Sequence, residues 1–278
     1  MMQQAADFLA ESEALYALLA GLPDRDFEQA TAFKGWTINN VLGHLHMWNR
    51  AADLSLTDGD AFLAFFRTVS DHVRTGSLSA FEAQWLEGLA GRALLEGWRG
   101  FCVPMAERFG AADPSARVAW AGPTMSVRSS ITARLMETWA HGQAIYDLLG
   151  VVRRNTDRIG NIVVLGVNTY VWTFKIRGLD APMPMPFVQL TAPSGAVWSH
   201  GEESADERIE GLAEEFCQVV TQTRNIVDTR LRVVGPNAAT WMASAQCFAG
   251  RPEDPPPPGT RRTRTQPLTA DSPARRTS

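Results

Sequence analysis

Two of the chain's five histidines, His44, His46, His72, His141 and His200, have the neighbours that metal chemistry requires. Glu137 and His141 stand four residues apart in VRSSITARLMETWAHGQAIYDLLG, which has helical spacing. That separation puts both side chains on one helix face, with β-carbons roughly 6 Å apart, so a carboxylate and an imidazole can reach one ion. Two ligands hold an ion poorly. The best third donor on another helix is His44, which lies among Val41, Leu42, Leu45 and Trp48 and should face a bundle interior. His46 cannot join it on the same ion, because two residues rotate a helical side chain by about 200°. Two imidazoles and a carboxylate suit zinc, with nickel and iron as alternatives. Three protein ligands leave room for water or substrate, as catalytic sites do. Spacing alone keeps a plainer reading open, since an i,i+4 ion pair uses the same two residue types.

The elements that must position these residues follow from periodicity. Residues 3–21 read as a first helix, with Phe8, Leu9, Leu15, Leu18 and Leu19 on one face and Pro23 after the stop. Thr37 is the expected N-cap of the helix carrying His44. Residues 60–76 read as a third helix, and 80–109 as one long helix or two shorter ones, because several glycines interrupt the pattern. ARVAWAGPTMS reads as a linker, and the helix carrying Glu137 should end at Gly150 as its C′ residue. Residues 1–150 are therefore expected to form a metal-binding bundle of four main helices with additions.

Beyond residue 180 the character changes. APMPMPFVQLTAPSGAVWSHG reads as two strands around a Pro-Ser-Gly turn, IEGLAEEFCQVVTQTR as a helix, RLRVVG as a strand and NAATWMASAQCFAG as a final helix. Residues 151–180 carry the chain across, with a helix through NIVVLGVNTYVWTF, so 151–250 should be a smaller α+β domain. Residues 251–278 hold four consecutive prolines, several arginines and few apolar side chains, the composition of a disordered tail. The fold class is mainly α, with α+β character confined to the C-terminal part.

Composition excludes several function classes. The net charge of −4 provides no basic field for nucleic acid, although Arg261, Arg262, Arg264, Arg275 and Arg276 make the tail locally basic. The acidic, amphipathic N-terminus does not read as a secretory leader, and no apolar run reaches the ~18 residues of a membrane span. Cys102, Cys217 and Cys247 are odd in number and form no C-x-x-C pair, which points to a reducing compartment and core thiols. The expected location is the cytoplasm and the expected partner a small molecule, and a homo-oligomer is compatible with the sequence. His46, His72 and His200 read as surface or loop residues, and Trp36 and Trp139 as pocket walls or bundle packing.

GWTINNVLGHL, in which His44 follows Trp36 by eight residues, and the later METWAHGQ with Glu137 and His141, together resemble the DinB-like metalloenzyme superfamily. Within it they are most similar to the mycothiol-dependent maleylpyruvate isomerase family, in an uncharacterised metal-binding subfamily, and the likeness runs to about residue 250. The resemblance implies a DinB-like four-helix bundle and His44, Glu137 and His141 as metal ligands. It also implies a thiol cofactor such as mycothiol that adds to an activated carbon–carbon double bond, lets the single bond rotate, and leaves by elimination. It further implies a catalytic arginine near the end of a helix that begins at a glycine, matched here by Gly211 and Arg224. One departure is Asn49, where the subfamily often has Asp. The expected function is thus a metal-dependent, thiol-assisted isomerase or transferase acting on a small, carboxylate-bearing electrophile. The alternatives are a non-catalytic metal-containing binding module and a zinc-hydroxide hydrolase or lyase that needs no thiol.

Overall fold

The structure is a computed structural model and describes residues 1–263. Four helices make the bundle: α1 (Gln3–Leu19), α2 (Ile38–Thr57), α5 (Gly91–Ala111) and α6 (Val127–Leu149), in which α1 and α2 each pack on both α5 and α6. Between α2 and α5 come α3 (Gly59–Thr75) and α4 (Leu78–Trp85), which pack against α2 and each other. The region read as one or two helices is thus two. The break falls at Glu87 and Gly88, both in the left-handed region.

Local chemistry sets the helix ends. The Thr37 hydroxyl accepts from the Asn40 amide while the Asn40 side chain accepts from the Thr37 N–H, a reciprocal cap that starts α2 seven residues before His44. Gly150 ends α6 at φ 68°, as its type predicts. The expected linker between α5 and α6 carries a two-stranded hairpin, β1 (Arg117–Val118) with β2 (Met125–Ser126), whose connection holds Trp120.

After α6, the chain forms α7 (Gly160–Asn168) and α8 (Tyr170–Lys175), then a four-stranded sheet. Its strands are β3 (Phe187–Thr191), β4 (Val197–His200), β5 (Arg208–Leu212) and β6 (Arg232–Val234), in the order β4-β3-β5-β6. β3 pairs antiparallel with β4 and parallel with β5, with Val188 opposite Ile209, and β5 pairs antiparallel with β6. The inward residues Val188, Leu190 and Ile209 join α9 (Ala213–Val220) in a core continuous with that of the bundle. α10 (Pro236–Ser244) packs on β6 and α8.

One expected element is corrected. The segment 209–224 is not a single helix, because Ile209–Leu212 belongs to β5 and the helix covers only Ala213–Val220. Gly211 does not start a helix. It lies in β5 at φ 146°, where an added Cβ would meet Leu231 at 2.8 Å. A short helical periodicity there concealed a strand-to-helix junction.

Residues 251–263 lie against the body. Glu253 pairs with Lys34, Asn225 donates to the Pro256 carbonyl, and Arg261 donates to the Gln222 carbonyl. The remaining tail arginines considered above, Arg264, Arg275 and Arg276, lie outside the described residues. No helix among the described residues is long and apolar enough to cross a membrane.

Candidate metal centre

α2 and α6 bring His44, Glu137 and His141 together, although 93 residues separate the first two elements of the set in sequence (137 minus 44). One ligand atom from each lies within 4.8 Å of the others. His44 Nε2 is 3.6 Å and His141 Nε2 is 3.0 Å from Glu137 Oε2. Ligands at about 2.1 Å in a tetrahedral shell stand about 3.4 Å apart, so these separations fit one small divalent ion. The donor set, two nitrogens and one oxygen, also fits. The three side chains are partly covered by their surroundings.

Glu82, on α4, was not identified from the sequence. Its Oε1 lies 2.7 Å from His44 Nδ1 and accepts a hydrogen bond from Trp48 Nε1 at 3.2 Å. With Nδ1 held by this buried carboxylate, Nε2 of His44 is presented to Glu137 and His141. Outer carboxylates orient ligating imidazoles in this way. Glu82 lies 38 residues from His44 on a separate helix, so no spacing rule could pair them. Trp36 stacks on His141 with ring centroids 5.7 Å apart and planes 7° from parallel, and Phe33 meets the same imidazole edge-on at 5.0 Å. Trp36 therefore does wall the centre. Trp139 does not: it is buried in the core, donates to Asn155 and carries the Arg153 guanidinium on its ring.

The centre's charges are coupled. Burial works against a charged His44, but hydrogen bonds to Glu137 and Glu82 and their negative charges outweigh it and raise the imidazole to about 8. Burial also opposes the Glu137 carboxylate, yet hydrogen bonds from His141 and His44 and the charges of His141 and Arg134 hold it well below the usual carboxylate range. His141 is lowered, by burial first and by the charge on His44, against the pull of Glu137. The resulting pattern is a carboxylate, a readily protonated imidazole and a neutral one. A cation entering the site would replace the proton on His44.

Two cavities share His44 and Glu137 in their walls. One, of about 350 Å³, also touches Trp36 and His141 and is lined by Phe33, Met136 and Phe248 as well as by Gln222, Glu253, Asp254 and Arg261. The other, of about 680 Å³, is lined by Trp48, Phe66, Leu78 and Trp120 together with Ser70, Arg74, Arg134 and Arg251. Arg224 lines neither. It lies in the turn beyond α9, and both terminal guanidinium nitrogens donate to Asp147, six residues beyond His141 on α6. His46 is not at the surface, as expected, but 4% exposed against Trp85 and Phe101, on the side of α2 away from the centre. The α2 periodicity separates the two histidines as predicted, and α4 and α5 cover the face that carries His46. His72 is exposed and His200 half-buried. Burial raises the thiols of Cys102 (to about 12), Cys217 and Cys247, all three enclosed, as expected of core cysteines.

The sequence profile described as the mycothiol maleylpyruvate isomerase N-terminal domain matches residues 8–146, which span the bundle and all three candidate ligands. Two uncharacterised proteins of Mycobacterium tuberculosis, from strains CDC 1551 and H37Rv, are each 39% identical over 247 residues, covering 89% of this chain and 95% of the relative. Among solved structures, the mycothiol-dependent maleylpyruvate isomerase and a histidine-to-alanine mutant of it align at 15% and 14% identity. Each covers 78% of this chain and 87% of the other, with a TM-score of 0.49. The profile match and the two mycobacterial relatives together establish that the chain belongs to the mycothiol maleylpyruvate isomerase family.

Proposed function

We propose that this protein is a divalent-metal enzyme, with zinc the first candidate, that uses a low-molecular-weight thiol to isomerise or modify a small electrophile. The observation that carries this reading is the meeting of two cavities at His44 and Glu137. A reaction between two molecules needs two approaches to one centre, and each cavity combines apolar walls with a few polar groups, as small-molecule sites do. His44, Glu137 and His141 would hold the ion, which when bound lowers the pKa of a thiol brought to it. Glu82 fixes the His44 ring, and Trp36 and Phe33 fix His141. The family's mycothiol is the first thiol to test.

Arg224 is the cation nominated by the family pattern. With its guanidinium committed to Asp147, it acts as a positioning residue for the turn 221–223, which lines the smaller cavity. Arg224→Lys should then raise KM for the thiol more than it lowers kcat. A loss confined to kcat at unchanged melting temperature would instead place Arg224 at the reacting atoms.

The test is metal content by elemental mass spectrometry, followed by thiol-dependent turnover. Near-stoichiometric metal in wild type, lost in His44→Ala, Glu137→Ala and His141→Ala while circular dichroism is unchanged, is the expected result. Protein that takes up no added zinc, nickel or iron would overturn the reading. Turnover that persists without any thiol would replace it with a metal-dependent hydrolase or lyase.

A further inference from the structure

The larger cavity contains a buried guanidinium that has no salt-bridge partner among the described residues. Arg134 is 3% exposed on α6, one turn before Glu137, and lines the 680 Å³ cavity beside His44 and Glu137. Its Nε donates at 3.2 Å to the Oδ1 of Asn49, a neutral amide that is itself fully buried. Its Nη2 is enclosed and has no hydrogen-bond partner among the described residues. No carboxylate among the described residues forms a salt bridge with it. Glu137, whose charge favours the guanidinium, is hydrogen-bonded to two histidines and not to Arg134. The other buried arginines behave differently: Arg153 is paired with Glu11, and Arg224 with Asp147. A buried, unpaired guanidinium is costly, and such groups in proteins are ordinarily paired or hydrogen-bonded. In a cavity beside a candidate catalytic centre, its natural complement is an anion from outside the chain.

The rest of the cavity limits what carries that anion. Trp48, Phe66, Val69, Val73, Leu78 and Trp120 form one apolar wall, with Ser70, Arg74 and Arg251 elsewhere on the lining. Trp48 and Trp120 meet at 5.9 Å between ring centroids, and Phe62 stacks beneath Trp120 at 5.5 Å. The volume lies within the range of pockets that enclose a small organic molecule. Arg134 and Glu137 are three apart on one helix, so the anion receptor and the metal ligands stand side by side.

We propose that Arg134 is the substrate-carboxylate receptor of this site, and that the substrate is an amphipathic carboxylic acid whose aromatic or other apolar body fills the wall of Trp48, Phe66 and Trp120. This rests on the function proposed above for the choice of site. The anion receptor itself can be tested without the reaction.

The experiment uses 3-phenylpropionate and its neutral analogue 3-phenylpropionamide, titrated calorimetrically into the full chain, both as purified and after chelator treatment. Hydrogen bonds to a charged group favour the acid over the amide by about tenfold or more in wild type. Arg134→Met should abolish that preference while still binding the amide. Asn49→Asp keeps the arginine but supplies an internal carboxylate, and should also reduce the preference about tenfold. It carries the test if Arg134→Met does not fold by circular dichroism. A preference unchanged in both variants, or failure of wild type to bind the acid, overturns the proposal. The preference should survive chelation. If it disappears with the metal, the carboxylate sits on the ion and not on Arg134, and the proposal also fails. Metal content is measured on the same samples. An Arg134-dependent preference in protein that binds no metal would sustain the receptor and refute the metalloenzyme reading, and the converse result would do the reverse.

Discussion

Replacing Glu82 with Gln should weaken metal binding to a degree that grows with pH. In the folded protein the Glu82 carboxylate holds His44 Nδ1 at 2.7 Å and is itself buried. Losing such an outer partner costs about 10–100-fold in metal affinity, or roughly 1.4–2.7 kcal/mol. A second effect opposes the first. Glu82 also helps raise His44 to about 8, and a proton on His44 must leave before an ion can bind. With the imidazole at about 8, that proton reduces apparent affinity by about 30-fold at pH 6.5 and by only about 1.3-fold at pH 8.5. In Glu82→Gln the imidazole falls below about 8, although Glu137 still supports its charge, so the proton costs less at pH 6.5 and almost nothing at pH 8.5. The variant thus regains part of that roughly 30-fold at pH 6.5 and almost nothing at pH 8.5. The deficit should therefore be smaller at pH 6.5 and reach the full 10–100-fold at pH 8.5. Competition for zinc against a fluorescent chelator of known affinity, run on both proteins at both pH values, measures it. Equal affinities at pH 8.5, or a deficit that shrinks as pH rises, would refute the orienting role of Glu82.

Three further outcomes follow from other parts of the fold. Burial, with the charge of Arg50, pushes His46 down to about 4, so between pH 6.5 and 4 the unfolded chain binds a proton that the folded chain refuses. This contribution is fully present above about pH 6.5 and is lost as pH falls toward 4, by up to roughly 3 kcal/mol. Urea titrations of His46→Leu should show a shallower loss of stability over that window than wild type. Arg224→Met leaves Asp147 buried without its bidentate partner and should destabilise by about 3–5 kcal/mol, read as a lower urea midpoint at constant m-value. Gly235→Ala sets a Cβ 2.1 Å from the Asp206 carbonyl oxygen at φ 90°, and should cost about 2 kcal/mol or more in a thermal melt, since backbone on both sides must move.

Much of this protein was legible in one dimension because its decisive features are local. The i,i+4 placement of Glu137 and His141, the Thr37 cap that sets the phase of α2, and the opposite facing of His44 and His46 all follow from helix geometry. They hold whatever the helices pack against. The disagreements arose where local preference was weak or overridden. Ile209–Leu212 reads as the start of a helix, but pairing with both β3 and β6 makes it a strand. His46 looked exposed, and only the packing of α4 and α5 onto α2 shows that it is buried. Residues 251–263 looked unable to pack, yet their hydrogen bonds to Gln222, Asn225 and Lys34 hold them against the body. The sequence by itself determined the helix faces and the three donors they carry, because periodicity is a property of neighbours. The tertiary structure alone decided that Glu82 supports His44, that Asp147 occupies Arg224, and that Arg134 stands buried with an unpartnered nitrogen. Each of these depends on which distant side chains share a small, water-poor space, and sequence separation carries no information about that.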